Sequence, residues 1–214
     1  MSGDRRPIAA RNLAVTGRVA GWLIRRGASP DGISLAGMAA GTLAGLCFAG
    51  TAWWPAEARP FWLLGALLVQ ARLLCNLFDG MVAIGRGIAS PVGELFNEVP
   101  DRVSDTAVLL GLGVAAGNWG LGLLAALLAM ATAYVRAVGK AAGAPSDFRG
   151  PMAKQQRMAL ATALGVWGAL APGSWQGTLP LLPAATLWVI AAGSLWTAAR
   201  RLGGTARALR GGRA

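Results

Sequence analysis

The chain has 214 residues, of which 55% are hydrophobic and 14% charged, with a mean hydropathy of +0.50. That is too apolar for an ordinary soluble domain of this length and points to a membrane protein. The net charge of +11 does not indicate nucleic acid, because the basic residues flank apolar runs instead of striping an aromatic-studded surface; anionic lipid headgroups suit that placement better.

The first 26 or so residues are polar and Arg-rich and lack the apolar core of a cleavable signal peptide, so the first span is expected to stay in the mature protein. Within residues 7–26, Ile8, Leu13, Val15, Val19, Trp22, Leu23 and Ile24 interleave with Arg11, Arg18, Arg25 and Arg26. This is the pattern of a helix lying in the headgroup plane, with a disordered basic arm as the alternative. Gly32 to Ala56 carries no Asp, Glu, Lys or Arg and is long enough to cross a bilayer, which needs roughly 20 apolar residues. A second run from Phe61 is interrupted by Arg72, Asn76 and Asp79. Thr106 to Val135 is uncharged but too long for one crossing, and Gly117-Asn118-Trp119-Gly120 supplies a turn within it. Met158 to Ala199 is again about twice a span, broken between Pro172 and Pro183. The expectation is an all-α, single-domain bundle of six spans between about residues 32 and 199, preceded by the surface helix and followed by a basic tail over 200–214. Within that tail, Arg207-Ala-Leu-Arg210-Gly-Gly-Arg213 reads as a flexible, lipid-attracted end and not as a site.

Of the nine Trp, Trp53, Trp54, Trp62, Trp119, Trp175 and Trp196 lie near the ends of apolar runs, as in an interfacial belt, although each also reads as a core aromatic. Among the 20 basic residues only Arg59 falls on the far side of the predicted alternation, which places both termini in the cytoplasm. Cys47 and Cys75 sit in apolar runs with no CxxC spacing and read as small buried hydrophobes. Gly37, Gly41 and Gly45 permit close helix contact, either inside one protomer or in a homodimer.

Five of the nine acidic residues, Asp79, Glu94, Glu98, Asp101 and Asp105, fall in one short stretch at the cytoplasmic ends of spans two and three. Ionised carboxylates at membrane depth usually face a hydrated cavity, a counter-charge or a metal. Asn76 and Asp79 are spaced i, i+3, while Asn97, Asp101 and Asp105 are spaced i, i+4, i+8, so each set lines one helical face. Hard oxygen donors in a chain with no histidine suit Mg²⁺, Mn²⁺ or Ca²⁺ and not zinc. Such a cation would neutralise an incoming pyrophosphate, and Gly80, Gly85, Gly87 and Gly93 would let a substrate approach the backbone. For Glu94, Glu98 and Arg102 a plain surface salt-bridge cluster is the competing reading.

The run Asn76-Leu-Phe-Asp79-Gly80-Met-Val-Ala83-Ile84, then eight residues, then Gly93-Glu-Leu-Phe-Asn97-Glu-Val-Pro-Asp101 resembles the signature of the CDP-alcohol phosphatidyltransferase family, D-x2-D-G-x2-A-R-x8-G-x3-D-x3-D. Ser29-Pro30-Asp31-Gly-Ile-Ser34 before span one is similar to a Pro-Asn-x-x-Thr pattern of that family. Asn76 and Asn97 stand where the signature has its first and third Asp, and Ile84 stands where it has Arg. The resemblance implies a membrane enzyme that transfers a phosphatidyl or similar group from a CDP-linked lipid donor to an alcohol acceptor, releasing CMP, in a bacterial cytoplasmic membrane. It implies one or two Mg²⁺ or Mn²⁺ ions held by Asn76, Asp79, Asn97 and Asp101, with Asp101 as the catalytic base. Asp79, Gly80, Ala83 and Gly93 would meet the nucleotide, and Arg86, Lys154 and Arg157 are candidates for a phosphate of donor or acceptor. Glu98 or Asp105 would compensate for the missing acids. A register using Asp101 and Asp105 as the last two acids lengthens the eight-residue gap to twelve and is less favoured. Two alternatives remain at this stage, a catalytically silent relative and a small transporter.

Overall fold

The computed structural model describes residues 13–88, 91–172 and 181–211, apart from the side chains of Pro91 and Glu94. The described residues fold into seven α-helices, and no strand occurs among them. The first, α1 (Ala14–Arg25), packs on α3, with Ile24 against Gly85. Val15, Val19 and Trp22 are exposed on it, and the Arg26 guanidinium lies 5.5 Å from the Trp22 ring centroid. The expected surface helix thus has a described part in α1, while residues 7–12, with Ile8 and Arg11, lie outside the described residues.

Helix α2 (Pro30–Trp53) starts where local chemistry asks for it. The Ser29 side chain accepts from the Gly32 N–H at 3.4 Å, Pro30 takes the first helical position, and Asp31 lies in the first turn beside the positive end of the helix dipole. A short 3₁₀ turn over Pro55–Glu57 reverses the chain into α3 (Ala58–Gly85). Then come α4 (Pro91–Ala115), α5 (Trp119–Ala141, capped by the Asn118 side chain on the Leu121 N–H at 2.9 Å), α6 (Lys154–Leu170) and α7 (Leu181–Gly211). The α4–α5 turn uses Gly117 at φ 65°, a conformation that favours glycine.

Helix α2 packs chiefly against α3 and α4, α5 against α7, and α3 against α6. The glycine stripe predicted in the first span is used inside the protomer. A Cβ at Gly37 would lie 2.9 Å from Cys75 Cβ, one at Gly41 would strike Ser104, and one at Gly45 would strike the Ala107 backbone. Around this close approach lies a core that includes Ala44, Phe48, Val69, Leu109, Met158 and Ile190. Trp62 belongs to that core, 5.6 Å from the Phe48 ring, whereas Trp53, Trp54, Trp119 and Trp196 are exposed; Trp175 lies outside the described residues.

Among the described residues, four stretches are long and apolar enough to cross a membrane: Pro30–Trp53, Pro55–Gly85, Trp119–Ala141 and Leu181–Gly211. Leu43, Leu46, Leu67, Leu127 and Leu195 stand exposed along them, a surface suited to lipid and not to water, and the chain is an integral membrane protein. The sequence led us to expect six spans. Helices α4 and α6 do not meet the same measure, because α4 spends its first half on Glu98, Asp101, Arg102 and Asp105 and α6 has only 17 residues. The basic tail also differs from expectation: α7 continues as helix through Arg200 and Arg207 to Gly211.

Candidate active site

Helix α3 carries Arg72, Asn76 and Asp79 at i, i+4 and i+7, one face of the helix. Through Arg72 and Asn76 that face meets Asp101, Ser104 and Asp105, which lie within one turn of α4. The Asn76 Nδ2 donates to Asp101 Oδ1 at 2.6 Å. Asp79 is 3% exposed; its Oδ2 accepts from Ser34 Oγ of α2 at 2.7 Å and its Oδ1 from the Gly80 N–H at 2.5 Å. The facing of two polar stripes expected from helical spacing is therefore present, and α2 joins it through Ser34.

Arg72 was not among the site residues expected from the sequence. It is fully buried and spans a whole turn of α4: Nε donates to Ser104 Oγ at 2.8 Å, and Nη2 donates to the Asp101 carbonyl and Asp101 Oδ1, each at 3.3 Å, and to Asp105 Oδ1. Ser104 Oγ in turn donates to the carbonyl of Pro100 at 2.7 Å, inside α4. A signal for Arg72 existed: a lone arginine inside an apolar run, four residues before Asn76 and seven before Asp79, occupies the same face and needs a partner there.

Helix α6 closes the cluster with cations. Lys154 Nζ binds Asp101 Oδ2, and Arg157 Nη2 donates to Asp105 Oδ2 at 3.1 Å while its Nη1 donates to the Met152 carbonyl at 2.9 Å. The loop before α6 is clamped by α7. Arg201 donates to the carbonyls of Thr132, Phe148 and Arg149 at 2.8, 3.3 and 3.0 Å, and Thr197 Oγ1 accepts from the Met152 N–H at 3.0 Å. Arg149 also grips Asp147 through two donors at 3.0 and 2.9 Å, which holds that carboxyl below the usual carboxylate range. Arg201 thus does more than anchor a positive-inside tail: it fixes the loop that delivers Lys154.

Other expected residues lie at the edge. Asn97 is exposed on α4. Glu98 pairs with Arg136 and with Arg102, the salt-bridge arrangement weighed against a site role, and Glu94's side chain lies outside the described residues. Arg86 donates to the Ala28 carbonyl at 2.9 Å and to that of Gly27 at 3.4 Å. Gly80 and Ala83 lie partly buried on α3.

The donor set, carboxylates and an amide with no histidine or thiolate, has the hard-oxygen chemistry that a divalent cation takes. Among the described residues no three Asp, Glu, Cys or His side chains converge as a metal cage. Asp79 and Asp101 supply two carboxylates, and the Asn76 amide adds an oxygen if it turns, since its Oδ1 now faces Gly37. Mg²⁺ is commonly held by one or two carboxylates together with substrate phosphates and water, a set to which Asp79 and Asp101 could supply the carboxylates.

No family model matches the chain. It is 33% identical over 140 residues to a phosphatidylinositol phosphate synthase of Mycobacteroides abscessus, 62% of this chain and 60% of that protein. It is 31% identical over 138 residues to the phosphatidylinositol phosphate synthase of Mycolicibacterium smegmatis, 62% of this chain and 57% of that one. The chain thus spans about three fifths of the length of these relatives. The crystal structure of Mycobacterium tuberculosis phosphatidylinositol phosphate synthase with CDP-DAG bound superposes with a TM-score of 0.74 at 22% identity, covering 90% of this chain and 94% of that one. The same enzyme in complex with manganese and citrate gives 0.73 at 23% identity, over 89% and 88%. This chain shares the fold of those structures.

Proposed function

We propose that the chain transfers a phosphatidyl group from a CDP-linked diacylglycerol to the hydroxyl of an alcohol and releases CMP. The observation that carries this reading is the meeting of Asn76 on α3, three residues before the buried Asp79 on the same face, with Asp101 on α4, beside Lys154. The similarity to phosphatidylinositol phosphate synthases supports it. In the reaction the acceptor oxygen attacks the lipid-side phosphorus, the bond from that phosphorus to the bridging oxygen breaks, CMP carries the electron pair away, and the hydroxyl proton passes to Asp101. An alcohol is a poor nucleophile at neutral pH, so a carboxylate within reach of its proton matters.

Asp79 and Asp101, with Asn76, would hold one Mg²⁺ or Mn²⁺. Bound there, the ion would neutralise pyrophosphate charge and so stabilise phosphoryl transfer. Ser34 and the Gly80 N–H fix the Asp79 carboxylate, and Arg72 with Asn76 fixes Asp101 Oδ1. Gly80, Ala83 and Gly93 would admit the nucleotide, and Arg86, Lys154 and Arg157 are cations for phosphates. We place all six helices from α2 to α7 across the membrane, with the charged ends of α4 and α6 at the cytoplasmic leaflet and both termini on that side.

One observation favours a silent relative: every Asp101 oxygen already has protein partners. The test separates the two. Purified full chain in detergent, given CDP-diacylglycerol, Mg²⁺ or Mn²⁺ and a panel of inositol phosphate, glycerol phosphate and serine, releases CMP and forms a lipid product seen by mass spectrometry. Asp101→Asn lowers the rate about 100- to 10,000-fold. No CMP with any acceptor, together with no binding of the CDP-lipid, would refute the transferase reading.

A further inference from the structure

The cations around Asp101 are not equivalent. Arg72 is fully buried, threaded against Gly41 and tied to Ser104 and Asp105 as well as to Asp101. It is a fixed part of the helix interface. Lys154 is the first residue of α6, its side chain is 19% exposed, and Asp101 is its only hydrogen-bond partner among the described residues. Its single charge on a flexible four-carbon stem can swing away without breaking another hydrogen bond to a described residue.

The two cations also divide the carboxylate. Arg72 and Asn76 take Asp101 Oδ1, and Lys154 takes Oδ2, with Arg102 farther off at 3.7 Å. Oδ2 is the oxygen left for a metal, and an ammonium within hydrogen-bond distance of that oxygen repels a divalent ion. Charge balance points the same way. Asp101 and Asp105 are paired with Arg72, Lys154 and Arg157, and Arg102 lies farther off, so the two carboxylates are already fully countered with Lys154 in place.

We propose that Lys154 is the exchangeable counter-ion of the cation site: it holds Asp101 Oδ2 while the site is empty and leaves when a divalent cation arrives. The inference rests on the metal reading above and deepens it. The displaced ammonium is then free for an anionic phosphate beside the same carboxylate. Metal and phosphate-bearing substrate consequently strengthen each other's binding, by an equal factor in each direction.

The test is Mn²⁺ titration of the full chain in detergent, read by the electron paramagnetic resonance signal of free Mn²⁺, with no turnover needed. Lys154→Gln binds Mn²⁺ about 10-fold more tightly than the unaltered chain, the order expected when a cation competing for a partly buried carboxylate is removed. Lys154→Arg keeps the competing charge and stays within about 3-fold of the unaltered chain. Arg136→Gln removes the same charge from α5, where it pairs with Glu98 and not with Asp101, and also stays within about 3-fold. Asp101→Asn loses the tight binding. Equal affinity in Lys154→Gln and the unaltered chain, equal tightening in Arg136→Gln, or no Mn²⁺ binding by either chain overturns the exchange. CMP release without tightening leaves the transferase reading standing and removes this one; tightening without CMP release does the reverse.

Discussion

Replacing Arg72 with glutamine tests whether the polar cluster is one coupled unit. The substitution removes the guanidinium contacts to Ser104, Asp101 and Asp105. It leaves Asp105, whose side chain is 5% exposed, with Arg157 as its remaining ion pair. Removing one partner of a buried ion pair costs about 3–5 kcal/mol, because the other charge stays buried without full compensation. Asp105→Asn alone strands Arg72 less completely, since Asp101 and Ser104 still accept from it, so about 1–3 kcal/mol is expected there. The double substitution Arg72→Gln/Asp105→Asn removes both charges together. It should recover about 1–3 kcal/mol relative to the sum of the singles, the range of coupling seen for residues in direct contact. Reversible unfolding in mixed micelles of increasing denaturing-detergent content, followed by tryptophan fluorescence, gives the three differences. Additivity within about 0.5 kcal/mol would refute the coupling and reduce Arg72 to a set of independent contacts.

Gly45→Ala should destabilise the chain by about 1–3 kcal/mol, the usual range for overpacking, since the new methyl would land on the Ala107 backbone; an unchanged midpoint in the same unfolding assay counts against the close α2–α4 approach. In the α5–α6 loop, Asp147 has its carboxyl depressed by the Arg149 hydrogen bonds. A depressed carboxyl stabilises the fold above its unfolded value of about 3.9 and loses that contribution as pH falls through the lowered folded value. Asp147→Asn should therefore be less stable than the unaltered chain at neutral pH, with the gap closing in acid; a gap that widens below about pH 4 contradicts the assignment.

Composition alone was enough for the membrane character, and the uncharged runs placed α2, α5 and α7 well, because a long apolar helix has few other ways to satisfy its backbone. The half-polar helix was harder. The uncharged run beginning at Thr106 marks only the apolar half of α4; spacing carried the helix back over Asp105, Asp101 and Asn97, and it starts at Pro91 and runs through Pro100. Hydropathy sees only the apolar half of such an element. Spacing did better at the site: the i, i+3 and i, i+4 patterns put Asn76, Asp79, Asp101 and Asp105 on facing stripes, and Asn76 and Asp101 do touch. Asn97 shared the spacing but stays exposed, since a shared face says nothing about how far along the helix its partner extends. The counter-cations were the least legible part. Lys154 and Arg157 looked alike as loop charges near a membrane surface, and only the α7 clamp through Arg201 and Thr197 shows what aims them inward.

The asparagines and the arginine belong to one explanation. In the signature that this chain resembles, the positions of Asn76 and Asn97 carry negative charge; here they are neutral, and a fixed positive charge, Arg72, stands one turn before Asn76 with Asp105 as its counter-ion. Restoring Asp at position 76 would put a carboxylate against Asp101 Oδ1 where an amide N–H now donates at 2.6 Å. Two carboxylates at that separation do not both ionise without a cation between them. Asn76 therefore lets α3 and α4 close on each other before any metal is bound. On the proposed exchange, the site would be assembled before a metal arrives and would take it through the Asp101 edge that Lys154 holds.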